Sequence, residues 1–483
     1  MHWLAENIIH MHWVWWVLNI LYGLTILGII AVVVSENRNP VKSLAWVTVL
    51  LVVPFVGLVL YVVFGRNIQT KRIISRKNKR KLRRLESSIE SGQTHVRRPD
   101  RTMPQATLAY ALNGSNYYDG NSADIFDNGT EKFEALIADI RSAKHYINMQ
   151  YYIIADDKIG CRVMEALMER AHMGVKVRVI YDHVGSFKLS RKALKKLKDA
   201  GVEAYPFFKV FFPPFGTRIN WRNHRKIVVI DGEIGYIGGM NVADRYVDGG
   251  RLFDVWRDLH LRITGPAVYA LQLSFTIDWN FMGQPLIKDA PITPKITEGK
   301  KAIGMQLVTG GPTTQWLNMT LMFQQAIASA KKCVYIQTPY FIPTEGLIHA
   351  LQIAALSKVD VRLMVPRRSD SDMLRWASFS YIQECLQAGV KVYLYEKGML
   401  HSKAIIIDDD FCTVGSANFD FRSFEHNFEA NMLLYSSDFN ERLKALFMRD
   451  LHDCKRVLMA EWNKRPITEK ALESVMRLFS PIL

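Results

Sequence analysis

The chain has 483 residues, with 62 Lys and Arg against 46 Asp and Glu, a formal charge of +16, and 49% hydrophobic residues. That length accommodates about three units at roughly 150 residues per domain. An apolar and aromatic content this high excludes a disordered or fibrous chain, so the question is whether charge and apolar surface are mixed or segregated.

They are segregated. Residues 13–34 read WVWWVLNILYGLTILGIIAVVV, and residues 44–64 read LAWVTVLLVVPFVGLVLYVVF, with no charge in either run. At about 1.5 Å per residue each run can cross a hydrocarbon core of about 30 Å. The connector SENRNPVK is so short that the two helices must be antiparallel neighbours. Pro54 is acceptable in such a helix, where it would kink it. The expectation is a transmembrane hairpin over residues 1–65. Glu6, rather than Lys or Arg, precedes the first run and no small-residue cleavage pattern follows it, so a cleaved signal peptide is not expected.

A basic linker is expected over residues 66–104. From Arg66 to Arg84 there are ten Lys and Arg residues and no acid, which supplies most of the net charge. The connector carries only Arg38 and Lys42 against Glu36, so positive-inside logic puts the N-terminus and everything after residue 65 in the cytoplasm. A basic run beside a membrane span is attracted to anionic head groups by about 1 kcal/mol per residue. The expected partner is therefore anionic membrane lipid and not nucleic acid. The five cysteines (Cys161, Cys333, Cys385, Cys412, Cys454) show neither disulfide nor metal-ligand spacing, which fits a reducing compartment. No metal and no cofactor are expected.

From about residue 105 the chain repeats itself, with a first half expected over 105–295 and a second over 296–483. AKHYINMQYYII recurs as AKKCVYIQTPYFI, with Ala143 and Ala330, and Gln150 and Gln337, each 187 residues apart. The short apolar runs between helix-like segments read as buried strands of an α/β sheet in each half. The repeat carries a motif. NHRKIVVIDGEIGYIGGMN holds His224, Lys226, Asp231 and Asn241; LHSKAIIIDDDFCTVGSANFD holds His401, Lys403, Asp408 and Asn418, every pair offset by 177. Arg245 and Arg422 keep the same offset.

His and Lys at i and i+2 of a strand point to one face. The glycines that follow permit a tight turn and close backbone approach to a ligand. Two such motifs facing each other converge imidazoles, ammoniums and amides, a set suited to a phosphodiester. Lysine and asparagine neutralise the non-bridging oxygens, one histidine attacks phosphorus, and the other protonates the leaving oxygen.

These paired H-x-K-x4-D motifs resemble those of the phospholipase D superfamily. The resemblance implies two α/β sandwich halves related by a pseudo-twofold axis, with the site at their interface, and metal-independent transfer through a phosphohistidine. It carries His224 and His401 over as nucleophile and general acid/base, Lys226, Lys403, Asn241 and Asn418 as phosphate-binding groups, and Asp231 and Asp408 as signature residues of the catalytic motif, with a structural role beside the site as open for them as contact with substrate. Family analogy favours His224 as the nucleophile. Similar enzymes orient each histidine with a downstream carboxylate. The candidates are Asp258 and Glu429, 34 and 28 residues after the histidines of their own copies, with Asp254 and Glu425 as rivals.

The hairpin, WRDLHLRITGPAV and TPYFIP extend the resemblance to bacterial cardiolipin synthases over almost the full length. It implies a multi-pass protein of the bacterial inner membrane that converts two phosphatidylglycerols to cardiolipin and glycerol. A hydrolytic phospholipase D, or a transferase using another alcohol, would carry the same motifs. A transferase must keep water from its phosphohistidine, and PFFKVFFPPFG at 206–216 is expected to form an apolar lip dipping into the membrane interface. The sequence carries no sign of an oligomeric state.

Overall fold

A computed structural model describes residues 2–35, 40–53, 57, 61, 96–99, 103–209, 221–287, 296–299 and 302–480. The chain divides into two compact units; the described residues of one are an amino-terminal helical pair, and those of the other run from residue 96 onward.

In the first unit, helix α1 spans His2–Ser35 and helix α2 spans Pro40–Val52. Apolar residues dominate both helices, so neither presents a strong polar face. Ile26, Leu50 and Tyr61 are buried together, and Trp46 meets Tyr61 edge to face at 5.5 Å. Most other described side chains of α1 are exposed, Trp16 by 70% and Leu27 by 63%. Among the described residues no helix is long and apolar enough to cross a membrane. The basic run 66–84 lies outside the described residues.

The second unit is built from two copies of a seven-stranded plan. The first copy contributes β1 (Tyr117–Phe126), β2 (Tyr146–Tyr151), β3 (Lys176–Asp182), β4 (Glu203–Phe207), β5 (Ile227–Ile230), β6 (Ile234–Gly238) and β7 (His260–Thr264). The second contributes β8 (Ile303–Gly310), β9 (Cys333–Gln337), β10 (Asp360–Pro366), β11 (Lys391–Tyr395), β12 (Ala404–Ile407), β13 (Phe411–Gly415) and β14 (Asn427–Tyr435). In the first copy the spatial order is β4-β3-β2-β5-β6-β7-β1, with β2, β3 and β4 parallel and the other neighbours antiparallel. The second repeats it as β11-β10-β9-β12-β13-β14-β8, with β9, β10 and β11 parallel. The two sheets join where β8 pairs antiparallel with β1, Ile303 opposite Asn121 and Met305 opposite Tyr118.

The local sequence explains the central strands. IVVI in β5 and AIII in β12 are buried at every position, as befits strands covered on both faces. Helices supply the cover, and two in the first half begin at side-chain caps: Asn128 accepts from the Glu131 amide and Asp157 from the Gly160 amide. One apolar core lies in each half, around Phe133, Leu136 and Val163 and around Phe323, Leu347 and Leu351. A third draws on both halves, with Ile227, Leu261, Ile406 and Met432.

The 206–216 stretch departs from the expected lip where it is described. Phe207 is fully buried against Phe208, Phe281 and Phe428, with ring centroids 4.7–5.5 Å apart. It ends β4 and belongs to the core because β4 pairs with buried β3 at Asp182–Phe207. Phe211, Phe212 and Phe215 lie outside the described residues.

Candidate active site

Each H-x-K segment enters a buried strand, and the two histidines stand just ahead of β5 and β12. Their backbones are held by the opposite half. Arg222–Asn223 pair parallel with Asn427–Phe428, and Met399–Leu400 pair parallel with Trp256–Arg257. The pattern continues one step on: the His224 amide donates to the Phe428 carbonyl at 2.9 Å, and the His401 amide to the Arg257 carbonyl at 2.7 Å.

The next residue in each bridging strand is an acid. His224 Nδ1 stands 2.9 Å from Glu429 Oε1, and His401 Nδ1 stands 2.6 Å from Asp258 Oδ2 and 2.7 Å from Lys403 Nζ. This corrects the expected pairing of each carboxylate with the histidine of its own copy. The acids are exchanged, because the bridge that carries each histidine runs along the other half's strand. Asp254 is exposed and Glu425 half-buried, and neither occupies an Nδ1 position.

The lysines lie beside the histidines on the buried side. Lys226 Nζ donates to the His224 carbonyl at 2.6 Å, and Lys403 Nζ to the His401 carbonyl. Lys403 Nζ also stands 3.9 Å from Asp258. Aromatic rings wall the imidazoles: Tyr152 meets His224 at 4.9 Å, while Trp256 and Tyr246 meet His401 at 5.3 and 5.9 Å.

Burial dominates the electrostatics. It pushes His224 down to about 4 against the pull of Glu429, and pushes His401 well down with help from Lys403. Burial therefore favours the neutral form of both imidazoles, and the Nδ1 contacts with Glu429 and Asp258 leave Nε2 as the nitrogen available for chemistry. Burial lowers Lys226 to about 7 and Lys403 to about 8. The carboxylates differ. Burial raises Asp258 to about 6 despite Lys403. Burial also opposes ionisation of Glu429, but His224 and Lys226 outweigh it and hold the acid below its ordinary value. Glu429 has further donors: Ser416 Oγ at 2.5 Å and Asn427 Nδ2 at 3.3 Å.

Asp231 and Asp408 are not drawn into this cluster. The Asp231 carboxylate accepts the amides of Lys144, His145 and Tyr146 at 2.7–2.8 Å. Asp408 accepts those of Lys331, Lys332 and Cys333 at 2.7–3.1 Å. Each caps the start of the strand beside its own motif strand, from a left-handed backbone at φ 52° and 49°. Of the two roles the motif leaves open for these residues, contact with substrate or support beside the site, the strand-end position fits support.

The asparagines already have neighbours. Asn241 accepts from the Ile153 amide at 3.1 Å and donates to the Tyr246 hydroxyl at 2.5 Å. Asn418 hydrogen-bonds Asp420, while its Oδ1 is buried without a hydrogen-bond partner.

Sequence reasoning missed the support beneath the acids. Arg225 Nε donates to the Glu429 carbonyl at 3.1 Å, and Arg257 Nη1 to the Asp258 carbonyl at 3.0 Å. The same guanidiniums are paired with buried Asp278 at 2.7 Å and Asp450 at 2.8 Å. Gln150 and Gln337 donate to those aspartates at 2.6 and 2.8 Å. The matched offset of the two glutamines was the available signal. The arginines had none, since Arg225 sits inside a motif and Arg257 next to a candidate acid.

Two imidazole–carboxylate pairs, exchanged between two like halves of one sheet, define a two-histidine phosphodiester site of phospholipase D type. The chain matches the family described as "Cardiolipin synthase, PLD-like domain" over residues 136–256 and 323–451, and "Phospholipase_D-nuclease N-terminal" over 23–66. It is 41% identical over 456 residues to "Cardiolipin synthase 2" of Bacillus anthracis, covering 94% of this chain and 89% of that one. It is 38% identical over 475 residues to the major cardiolipin synthase of Bacillus subtilis, covering 96% and 98%. It therefore belongs to the bacterial cardiolipin synthase family. The fold is similar to that of phosphatidylserine synthase from Haemophilus influenzae Rd KW20, with TM-score 0.59 at 14% identity, covering 79% of this chain and 100% of that one.

Proposed function

We propose that this chain is a cardiolipin synthase that transfers a phosphatidyl group between two phosphatidylglycerols through a covalent phosphatidyl-histidine. His224 Nε2 attacks phosphorus of the donor lipid. The phosphorus–oxygen bond to the head-group glycerol breaks, and His401, which takes up a proton on Nε2 as the anionic phosphodiester binds, delivers that proton to the leaving glycerol oxygen. The terminal hydroxyl of a second phosphatidylglycerol then gives its proton back to His401 and attacks phosphorus. The phosphorus–nitrogen bond breaks, cardiolipin forms, and both imidazoles are restored. One phosphodiester replaces another, so no nucleotide is consumed.

The observation that carries this reading is the unequal environment of the two pairs. Glu429 is held ionised by several donors, so it fixes His224 as a neutral nucleophile with its lone pair outward. Asp258 takes up a proton nearer neutrality, so the His401 pair suits proton transfer. Lys226 and Lys403, with Asn241 and Asn418, are the groups assigned to the non-bridging oxygens, and anionic substrate would raise the lysines back toward their charged forms.

The reading extends to the membrane. Residues 1–65 are taken as a hairpin through the bacterial inner membrane, 66–104 as a basic linker against anionic lipid, and 105–295 and 296–483 as two cytoplasmic catalytic halves. Support comes from the two uncharged apolar runs and the one-sided basic charge. A reporter fused after Leu483 should give a cytoplasmic signal, and an extracytoplasmic one overturns the topology.

The deciding experiment is product analysis of the purified full chain with phosphatidylglycerol vesicles alone. Cardiolipin and glycerol are expected. His224→Ala and His401→Ala should each lower the rate by at least about 1,000-fold. Phosphatidic acid as the product would make the chain a hydrolytic phospholipase D. Full activity in both variants would remove the two-histidine mechanism.

A further inference from the structure

A second concave site lies in the carboxy-terminal half, away from the imidazoles. It encloses about 370 Å3 between the segment 367–379, the end of β11 and the segment 455–469. Six cations line it: Arg367, Arg368, Arg375, Lys455, Arg456 and Arg465. The acids in its lining are Glu461 and Glu469. Its floor is apolar, with Trp376, Phe379 and Trp462, the last two in edge contact at 5.7 Å.

The cations divide into two groups. Arg367 pairs with Glu396, Arg375 with Asp372, Lys455 with Glu461, and Arg465 with Glu473. Arg375 and Arg465 also stack over Trp376 and Trp462. These four are held in place. Arg368 and Arg456 are exposed, and among the described residues neither has a carboxylate partner within ion-pair distance. Two guanidiniums without a carboxylate partner, over a ring-lined floor, present donors for an anion and a surface for hydrocarbon together.

The surroundings narrow the ligand further. The helix Ile467–Leu478 contacts the helix Asp372–Phe379, which carries the pocket's rings. It exposes Ile467, Leu472, Val475 and Leu478, by 82%, 38%, 47% and 79%, within one helical face. Leu458 and Met373 are exposed as well, by 47% and 48%. A free phosphate would use the arginines alone. An anionic amphiphile uses the arginines, the rings and the exposed apolar face together.

We propose that this pocket binds the phosphate of an anionic phospholipid, as a second lipid site that performs no chemistry. Arg368 and Arg456 hold the phosphate oxygens, Trp376, Phe379 and Trp462 take the glycerol and upper acyl carbons, and the helix Ile467–Leu478 lies against the remaining chain. Identification of the lipid as anionic rests on the proposed phosphatidylglycerol chemistry, which keeps such lipids beside the enzyme. Occupancy does not depend on turnover.

The test uses the full chain in detergent with a photoactivatable phosphatidylglycerol and peptide mapping of the adducts. Wild type should give adducts in 373–379 and 457–465 besides those at the catalytic site. Arg368→Ala/Arg456→Ala should weaken labelling of the pocket about thirtyfold, equal to about 2 kcal/mol for two surface cations, and leave catalytic-site labelling and turnover of a short-chain soluble diester unchanged. The same pocket adducts should persist in His224→Ala/His401→Ala, which separates this proposal from the catalytic one. Pocket labelling that survives loss of both arginines, or is absent in wild type, overturns it. Loss of pocket labelling under millimolar inorganic phosphate, but not under phosphatidylcholine vesicles, reassigns the site to free phosphate and also overturns the lipid proposal.

Discussion

The two halves of the catalytic unit share a strand order, a motif and a way of carrying histidine into the other half, yet they differ at the atoms next to the imidazoles. In one pair the acid is Glu429, with Ser416 donating to it. In the other it is Asp258, and the residue matching Ser416 is Gly239, where a Cβ would lie 2.1 Å from Asp258 Oδ1. The longer acid leaves room for a hydroxyl and gains a donor; the shorter acid sits where that side chain would be. A symmetric scaffold thus supplies two equally placed imidazoles, and unequal neighbours give their carboxylates different affinities for a proton.

The largest expected effect separates the two roles. With a phosphatidyl ester of p-nitrophenol, whose leaving group needs no acid, His401→Ala should still release a burst of nitrophenol and leave phosphorus on His224. His224→Ala should give no burst, a difference of about 1,000-fold in the first turnover. Mass spectrometry of the quenched enzyme reads it, and phosphorus found on His401 would reverse the assignment.

The exchanged pairing can be broken next. Glu429→Gln should lower turnover about 100-fold or more with either leaving group, because it disorients the nucleophile. Asp258→Asn should lower turnover to a similar extent with phosphatidylglycerol and far less with the nitrophenyl ester. If Asp258→Asn instead abolished the nitrophenol burst, the acid would serve the nucleophile and the crossing would be wrong.

The pH dependence sharpens the same contrast. The ratio kcat/KM follows the free enzyme. It should fall as pH drops through about 6, where Asp258 takes a proton, and fall again as pH rises through 7–8, where Lys226 and Lys403 lose theirs. Asp258→Asn should move the acid limb down toward about 4, where His224 takes a proton, and keep the alkaline one; an acid limb unmoved in that variant assigns it to another group.

A smaller effect is expected at the hydroxyl. Ser416→Ala removes one donor from Glu429 and should cost about tenfold in kcat/KM, near 1.4 kcal/mol. No loss in steady-state kinetics would show that His224 and Asn427 suffice to hold the acid. The smallest kinetic effect belongs to Asp231 and Asp408. Asp231→Ala frees three strand-end amides and should lower unfolding stability by about 2 kcal/mol, while kcat per folded molecule stays near wild type. A variant that melts normally but is inactive would return Asp231 to the chemistry.

Much of this was legible in the residues. The offset of 177 between the two motifs marked a duplicated half, and the runs IVVI and AIII marked its buried central strands. Both acids now bonded to the histidines were among the candidates. Their partners were not legible, because an acid 34 residues downstream is close along the chain while the acid in contact lies 205 residues away, across the junction of the halves. Phe207 shows a similar limit: its aromatic, proline-broken surroundings suit a lip or a core, and pairing of β4 with β3 decided for the core.

The sequence by itself determined which side chains are available: two histidines, two lysines and two acids at matched positions, on strands whose alternation aims i and i+2 to one face. Tertiary structure decided which of them meet and in what state. Contact between groups hundreds of residues apart depends on how two sheets join at β1 and β8 and on the short bridges that cross between halves. Protonation depends on burial, and burial is a property of the assembled unit rather than of any stretch of chain.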